Sequence, residues 1–327
     1  MQKVILPKTL EDKTVLVAGA AGFVPGHLCE FYLNLGARVI GIDNFITGTR
    51  ANIDILSKYS RFEFFECNIY KQLPDFKGSK IDYIFSLASP ASPVDFASIP
   101  IEIMRVNSEG TRFLLELAKE KKARFLEAST SEVYGDPEVH PQVEAYVGHV
   151  NPIGPRACYD ESKRFAEALT MSYYRKYQVD TRIIRIFNTY GPRMRPNDGR
   201  VIPNFINQAL KNEPITIYGD GSQTRSFCYV SDLVDAIHNV MFSNEPTPIN
   251  VGNPDEYSIK VCAEEILKVL GSKSVLTFLP IMQDDPKRRR PDISKLQSIC
   301  DYRPKVTFSE GIKRTAESFK MDIEGPN

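Results

Sequence analysis

Tyr159 and Lys163, in "YDESK", stand four residues apart, so on a helix they share a face and the ammonium can bear on the phenol. A phenol is a poor base at its ordinary pKa of about 10, but a neighbouring positive charge favours the ionised form. "STSE" (129–132) brings Thr130, Ser131 and Glu132 to the end of a strand-like run ahead of that helix. A tyrosinate so placed can take a hydroxyl proton. The carbon bearing that hydroxyl can then release a hydride, provided an acceptor lies beside it.

A seat for such an acceptor is legible in "GAAGFVPGHL" (19–28), which follows the apolar run "TVLVA". Gly19 ends a predicted strand and Gly22 opens a predicted helix, whose first N–H groups can receive a pyrophosphate. Asp43 closes the next strand, where a carboxylate binds ribose hydroxyls. This is a dinucleotide turn, although Pro25 stands where a third glycine is expected. Pro25 falls in the first helical turn, where its missing N–H has no intrahelical partner anyway. Gly26 shares a helical face with Gly22 and is expected to keep the close helix–strand packing, shifted by one residue. Asn44 follows Asp43 with no arginine directly after, which favours NAD over NADP, because a 2′-phosphate would meet a carboxylate.

The elements that must position these groups alternate. "TVLVA", "ARVIGID", "RFEFFECN", "IDYIFSLA", "ARFLEAST" and "TRIIRIFN" read as strands separated by helix-length segments, among them 101–120 and 158–177. This predicts an α/β fold, a doubly wound parallel sheet of the Rossmann type with a smaller C-terminal substrate-binding lobe. The NAD-binding part is expected over 1–190, with 231–253 returning to it through "PINVGN". The substrate lobe is expected over 191–327, beginning where Pro and Gly accumulate in "YGPRMRPNDGR".

The 327 residues carry 41 Lys+Arg and 41 Asp+Glu, so no basic surplus recruits nucleic acid and a small-molecule partner is expected. Six scattered cysteines without a C-x-x-C pair fit a reduced, cytoplasmic protein, and four dispersed histidines support no metal site. No signal pattern or long apolar run points to a membrane.

With these residues in view, the chain resembles the extended short-chain dehydrogenase/reductase family of nucleotide-sugar epimerases, dehydratases and decarboxylases. "ASPASPVDF", "STSEVYGDPEVHPQ", "GHVNPIGPRACYDESKR", "IFNTYGPRM", "NDGRVIPNF", "YGDGSQTRSFCYVSDLV" and "DDPKRRRPDI" are similar to its UDP-glucuronate decarboxylases. The resemblance implies a catalytic set of Tyr159, Lys163, Thr130 and Glu132, with Thr130 near the sugar 4-hydroxyl and Glu132 beside the departing carboxylate. For NAD it implies Gly19, Gly22, Phe23, Val24, Asp43, Asn44, Asn68, Ile69, Leu87, Ser89, Asn107, Tyr159 and Lys163. For the nucleotide sugar it implies Ser131, Asn188, Arg193, Arg225 and Arg289, and it implies a homodimer formed through helices 101–120 and 158–177. Four positions depart from the family pattern: Pro25, Asn68 for an aspartate, Ser162 for a glycine and Val147 for an aromatic.

The implied chemistry is self-consistent. Oxidising C4 of UDP-glucuronate makes the C6 carboxylate part of a β-keto acid, which loses carbon dioxide without removal of the C5 proton. A 4,6-dehydratase must expel a C6 hydroxyl, and its relatives place Asp-Glu after the threonine, where this chain has Ser131-Glu132. A 4,6-dehydratase, a C4 epimerase of nucleotide sugars and a catalytically silent NAD-binding relative, all served by the same scaffold, stand as the alternatives.

Overall fold

The computed structural model describes residues 3–195, 198–280 and 288–324. The first half of the chain runs β1 (Thr14–Ala18), α1 (Phe23–Asn34), β2 (Arg38–Asp43), α2 (Arg50–Leu56), β3 (Phe62–Glu66), β4 (Tyr83–Ser86), α3 (Pro93–Ser98), α4 (Pro100–Arg105), α5 (Thr111–Lys121), β5 (Arg124–Thr130), α6 (Ala157–Tyr177) and β6 (Thr181–Ile186). Then come β7 (Thr189–Tyr190), α7 (Val201–Lys211), β8 (Ile215–Tyr218), β9 (Thr224–Ser226), β10 (Cys228–Tyr229), α8 (Val230–Met241), β11 (Ile249–Val251), β12 (Glu256–Ser258), α9 (Ile259–Leu270), β13 (Leu276–Leu279), β14 (Arg288–Arg289), α10 (Ser294–Ile299) and α11 (Phe308–Glu324).

Seven strands form one parallel sheet in the order β11-β6-β5-β4-β1-β2-β3. Val15 and Val17 of β1 join the core on one face, and Leu16 and Ala18 join the core on the other. Helices therefore cover both faces, which is why these strands read as continuous apolar runs. The strand order reverses between β1 and β4, and a crevice opens there at the carboxyl ends. "PINVGN" enters this sheet as β11, beside β6.

The predicted helix over 101–120 is interrupted: α4 passes into a π-helical turn, Val106–Gly110, before α5 begins. Outside the main sheet, β12, β9 and β14 form a three-stranded sheet in which Arg289 pairs with Arg225 in register. Among the described residues, no helix is long and apolar enough to cross a membrane.

Candidate active site

Every strand end from β1 to β6 contributes to one cavity of about 710 Å³, through Gly19, Asp43, Asn68, Leu87, Thr130 and Asn188. Its dinucleotide end is built on backbone. Gly19 has φ +89°, and a Cβ there would lie 3.0 Å from the backbone of Leu87 and Ala88. Only glycine meets both demands. Asp43 accepts hydrogen bonds from the N–H groups of Ala21 (3.1 Å) and Phe45 (2.7 Å), and burial raises its pKa against their pull. The buried Asn52 amide donates to the Ala21 carbonyl at 2.8 Å and fastens the turn from α2. Sequence reasoning missed Asn52, because a polar residue in a short helix carries no signal of what it caps.

Pro25 lies in the first turn of α1, as its position in the sequence predicts. Gly26 does not carry the close packing expected of it: a Cβ there would meet only ordinary contacts, the nearest being the Ala20 carbonyl at 3.5 Å. The tight approach is made at Gly19 and Gly22 instead.

At the other end, α6 carries Tyr159 and Lys163 under the cavity. Phe96 of α3 stacks on the Tyr159 ring, with centroids 5.1 Å apart. Burial pushes the Tyr159 phenol above its ordinary value, while the Thr130 hydroxyl and the Arg200 charge pull it down. The Lys163 ammonium, four residues on from Tyr159, donates to the Ala128 carbonyl (2.7 Å) and pairs with Glu127 (3.3 Å).

Glu132 lies between two guanidiniums, those of Arg156 and Arg289. Burial alone would raise its pKa, but Arg289 and Arg156 outweigh burial and hold it at about 2. Glu132 is therefore a carboxylate and not a proton donor. Arg289 also donates to the Gly135 carbonyl at 2.8 Å and lies 3.4 Å from the Ser131 hydroxyl. Of the three consecutive arginines it alone lines the cavity, whereas Arg288 is exposed and the Arg290 backbone bonds to Gln142.

The cavity wall brings together every residue expected to bind or react except Asn107. That residue sits in the π-helical turn, where its amide donates to the Ser162 hydroxyl at 2.9 Å, and this removes it from the wall. Arg193, expected to bind the nucleotide sugar, lines the cavity and is ion-paired with Glu30 of α1 at 2.6 Å. Among the described residues its buried Nη1 has no hydrogen-bond partner. Phe96, Arg156 and Arg200 also line the cavity; all three fall within motifs that carry the resemblance, yet sequence reasoning assigned none of them a role.

A Rossmann sheet, a glycine turn and a Tyr-Lys helix at one cavity define a dinucleotide-dependent enzyme of the short-chain type. The chain belongs to the NAD dependent epimerase/dehydratase family, whose sequence profile matches residues 15–252. Among its relatives, a UDP-glucuronic acid decarboxylase 1 from Danio rerio is 48% identical over 314 residues, 96% of this chain and 74% of the relative. The Arabidopsis thaliana UDP-glucuronic acid decarboxylase 1 is 46% identical over 94% of this chain and 70% of its own length. Among solved structures, the UDP-glucuronic acid 4-epimerase of Bacillus cereus, in complex with UDP-glucuronic acid and NAD, superposes with a TM-score of 0.84 at 31% identity, covering 94% of this chain and 99% of the epimerase.

NAD fits the residues present. Gly19, at a positive φ open to glycine, leaves room for a pyrophosphate against backbone N–H groups, and the half-buried Asp43 carboxylate at the end of β2 offers acceptors for a ribose.

Proposed function

We propose that this chain converts UDP-glucuronate to UDP-xylose and carbon dioxide, using NAD that is restored in each turnover. The observation that carries this reading is the arrangement at 130–132: Thr130 and Glu132 flank Ser131 beside Tyr159, and Glu132 is kept ionised by Arg156 and Arg289. A group locked as carboxylate cannot protonate a leaving hydroxyl. It can, together with the arginines, orient a sugar carboxylate that leaves as carbon dioxide.

Gly19, Gly22, Phe23, Val24, Asp43, Asn44, Asn68, Ile69, Leu87 and Ser89 would hold NAD, which when bound accepts the C4 hydride and gives it back. Tyr159 takes the C4 hydroxyl proton and later returns it, assisted by the Thr130 hydroxyl. Once C4 is a ketone, the C5–C6 bond breaks with its electrons left on C5, and the enolate is protonated there by a water held near Glu132. Arg225 and Arg289 are suited to the diphosphate and the uronate, because each guanidinium can donate two parallel charge-assisted bonds.

The division of labour we infer follows the chain: 1–190 with 231–253 carries the cofactor, and the remainder carries the nucleotide sugar. The pairing of β11 with β6 and the three-stranded sheet bearing Arg225 and Arg289 support it. We infer further that the protein works as a cytoplasmic homodimer. All six cysteines are free, as in a reducing compartment, and Ile101 and Met104 of α4 and Phe165 of α6 are exposed apolar side chains on the two helices expected to pair.

The test is an incubation with UDP-glucuronate and NAD, read by chromatography and mass spectrometry. UDP-xylose and carbon dioxide are expected. A C4 epimer of unchanged mass, or untouched uronate, would overturn the assignment.

A further inference from the structure

Glu127 stands in the middle of β5 with no exposed surface, three residues before Thr130. A carboxylate rarely occupies the interior of a central strand without a partner. Here the partner is Lys163, whose Nζ lies 3.3 Å from Glu127 Oε1, while Oε2 has no hydrogen-bond partner among the described residues. Ser86 of β4 is the neighbouring hydroxyl, Ile183 faces Glu127 from β6, and Glu167 of α6 is the other acid nearby. Glu167 is itself occupied, paired with Arg185 at 2.8 Å and accepting from Ser129. Burial pushes the Glu127 carboxyl up and Lys163 opposes it.

The ammonium that should favour the Tyr159 phenolate therefore has a counter-ion of its own, buried where water cannot screen it. We propose that Glu127 is a positioning residue for the reaction: it fixes Lys163 at the base of the cavity and cancels part of the field that the ammonium exerts on Tyr159. The proposal rests on Tyr159 being the base. It differs from a purely structural ion pair in one respect, since it ties the charge of Glu127 to the proton affinity of Tyr159.

Turnover against pH at saturating UDP-glucuronate and NAD separates the two. Glu127→Gln keeps the shape and removes the charge, so the acid limb of the profile should move to lower pH by about one unit, the size of effect a single nearby charge produces. Glu127→Asp keeps the charge and should leave the limb near its wild-type position. If Glu127→Gln does not fold, Glu127→Leu removes the same charge and is read in the same way, because Lys163 retains its bond to the Ala128 carbonyl. A limb that stays in place in the charge-free variant, whatever happens to melting temperature or absolute rate, overturns the proposal. Tyr159→Phe run alongside distinguishes the failures: turnover near wild type in that variant removes the base itself, while its loss with an unmoved limb removes only the role of Glu127.

Discussion

The rings of Phe96 and Tyr159 lie nearly parallel, 18° apart, with Phe96 contributed by the short helix α3 and Tyr159 by the long helix α6. Such a stack fixes the plane of the phenol and keeps water from one face of it. Phe96→Ala should lower turnover by roughly 10-fold or more, because small displacements of a reacting group are costly. NAD affinity should change little, since the turn at 19–22 is fastened by Asn52 and not by the Phe96–Tyr159 stack. Steady-state kinetics and cofactor titration of the same preparation check both halves, and unchanged turnover would mean that the phenol holds its position unaided.

Tyr159→Phe removes the hydroxyl and keeps the ring against Phe96. Turnover should fall by roughly 100-fold or more, the usual contribution of a positioned base. NAD binding should remain close to wild type. A variant that turns over normally would take Tyr159 out of the mechanism.

How far the sequence speaks depends on whether a residue acts through its own position or through a contact made elsewhere. The strands β1 to β6 were legible because a parallel sheet covered on both faces demands unbroken apolar runs, and Asp43 was legible because it closes one of them. The π-helical turn at 106–110 was not, since its residues keep helical spacing while the backbone widens, and this turns Asn107 toward Ser162. Nothing in "ARFLEAST" marks Glu127, because its partner Lys163 comes from a helix 36 residues on and only the fold brings the two together. Arg193 was legible as an arginine near the site, yet its pairing with Glu30 could not be foreseen from residues so far apart in sequence. Residues 284–287 of the arginine-bearing motif lie outside the described residues.

His238 lies in the core, sharing a hydrogen bond of 3.1 Å with Tyr32 and packed against Phe31 and Phe242. Burial lowers its pKa from 6.5 to about 4, and burial does the same to His27. Between those values the unfolded chain binds protons that the folded chain refuses, so stability is full above pH 6.5 and falls as pH drops toward 4. Each histidine can contribute up to about 1.4 kcal/mol per pH unit in that window. Melting temperatures measured from pH 7 down to pH 5 should therefore decline, and His238→Gln should decline less steeply than wild type. Equal slopes would mean that His238 is protonated in the fold.

The triplet Thr130-Ser131-Glu132 distinguishes two eliminations that begin with the same oxidation at C4. A dehydratase needs a group that protonates the C6 hydroxyl as it leaves, and this cavity offers at that point a serine and a carboxylate held ionised by Arg156 and Arg289. With UDP-glucose the enzyme should therefore give no 4-keto-6-deoxy product. With UDP-glucuronate it should release carbon dioxide, because the carboxylate departs unaided once C4 is a ketone. Glu132→Gln should slow that release, since it removes the negative member of the cluster, leaves both guanidiniums unbalanced around the substrate carboxylate, and stabilises the charge that must be lost. Product analysis by mass spectrometry on both sugars reads all three outcomes. Water loss from UDP-glucose, with no carbon dioxide from UDP-glucuronate, would reverse the substrate assignment and leave the NAD site as described.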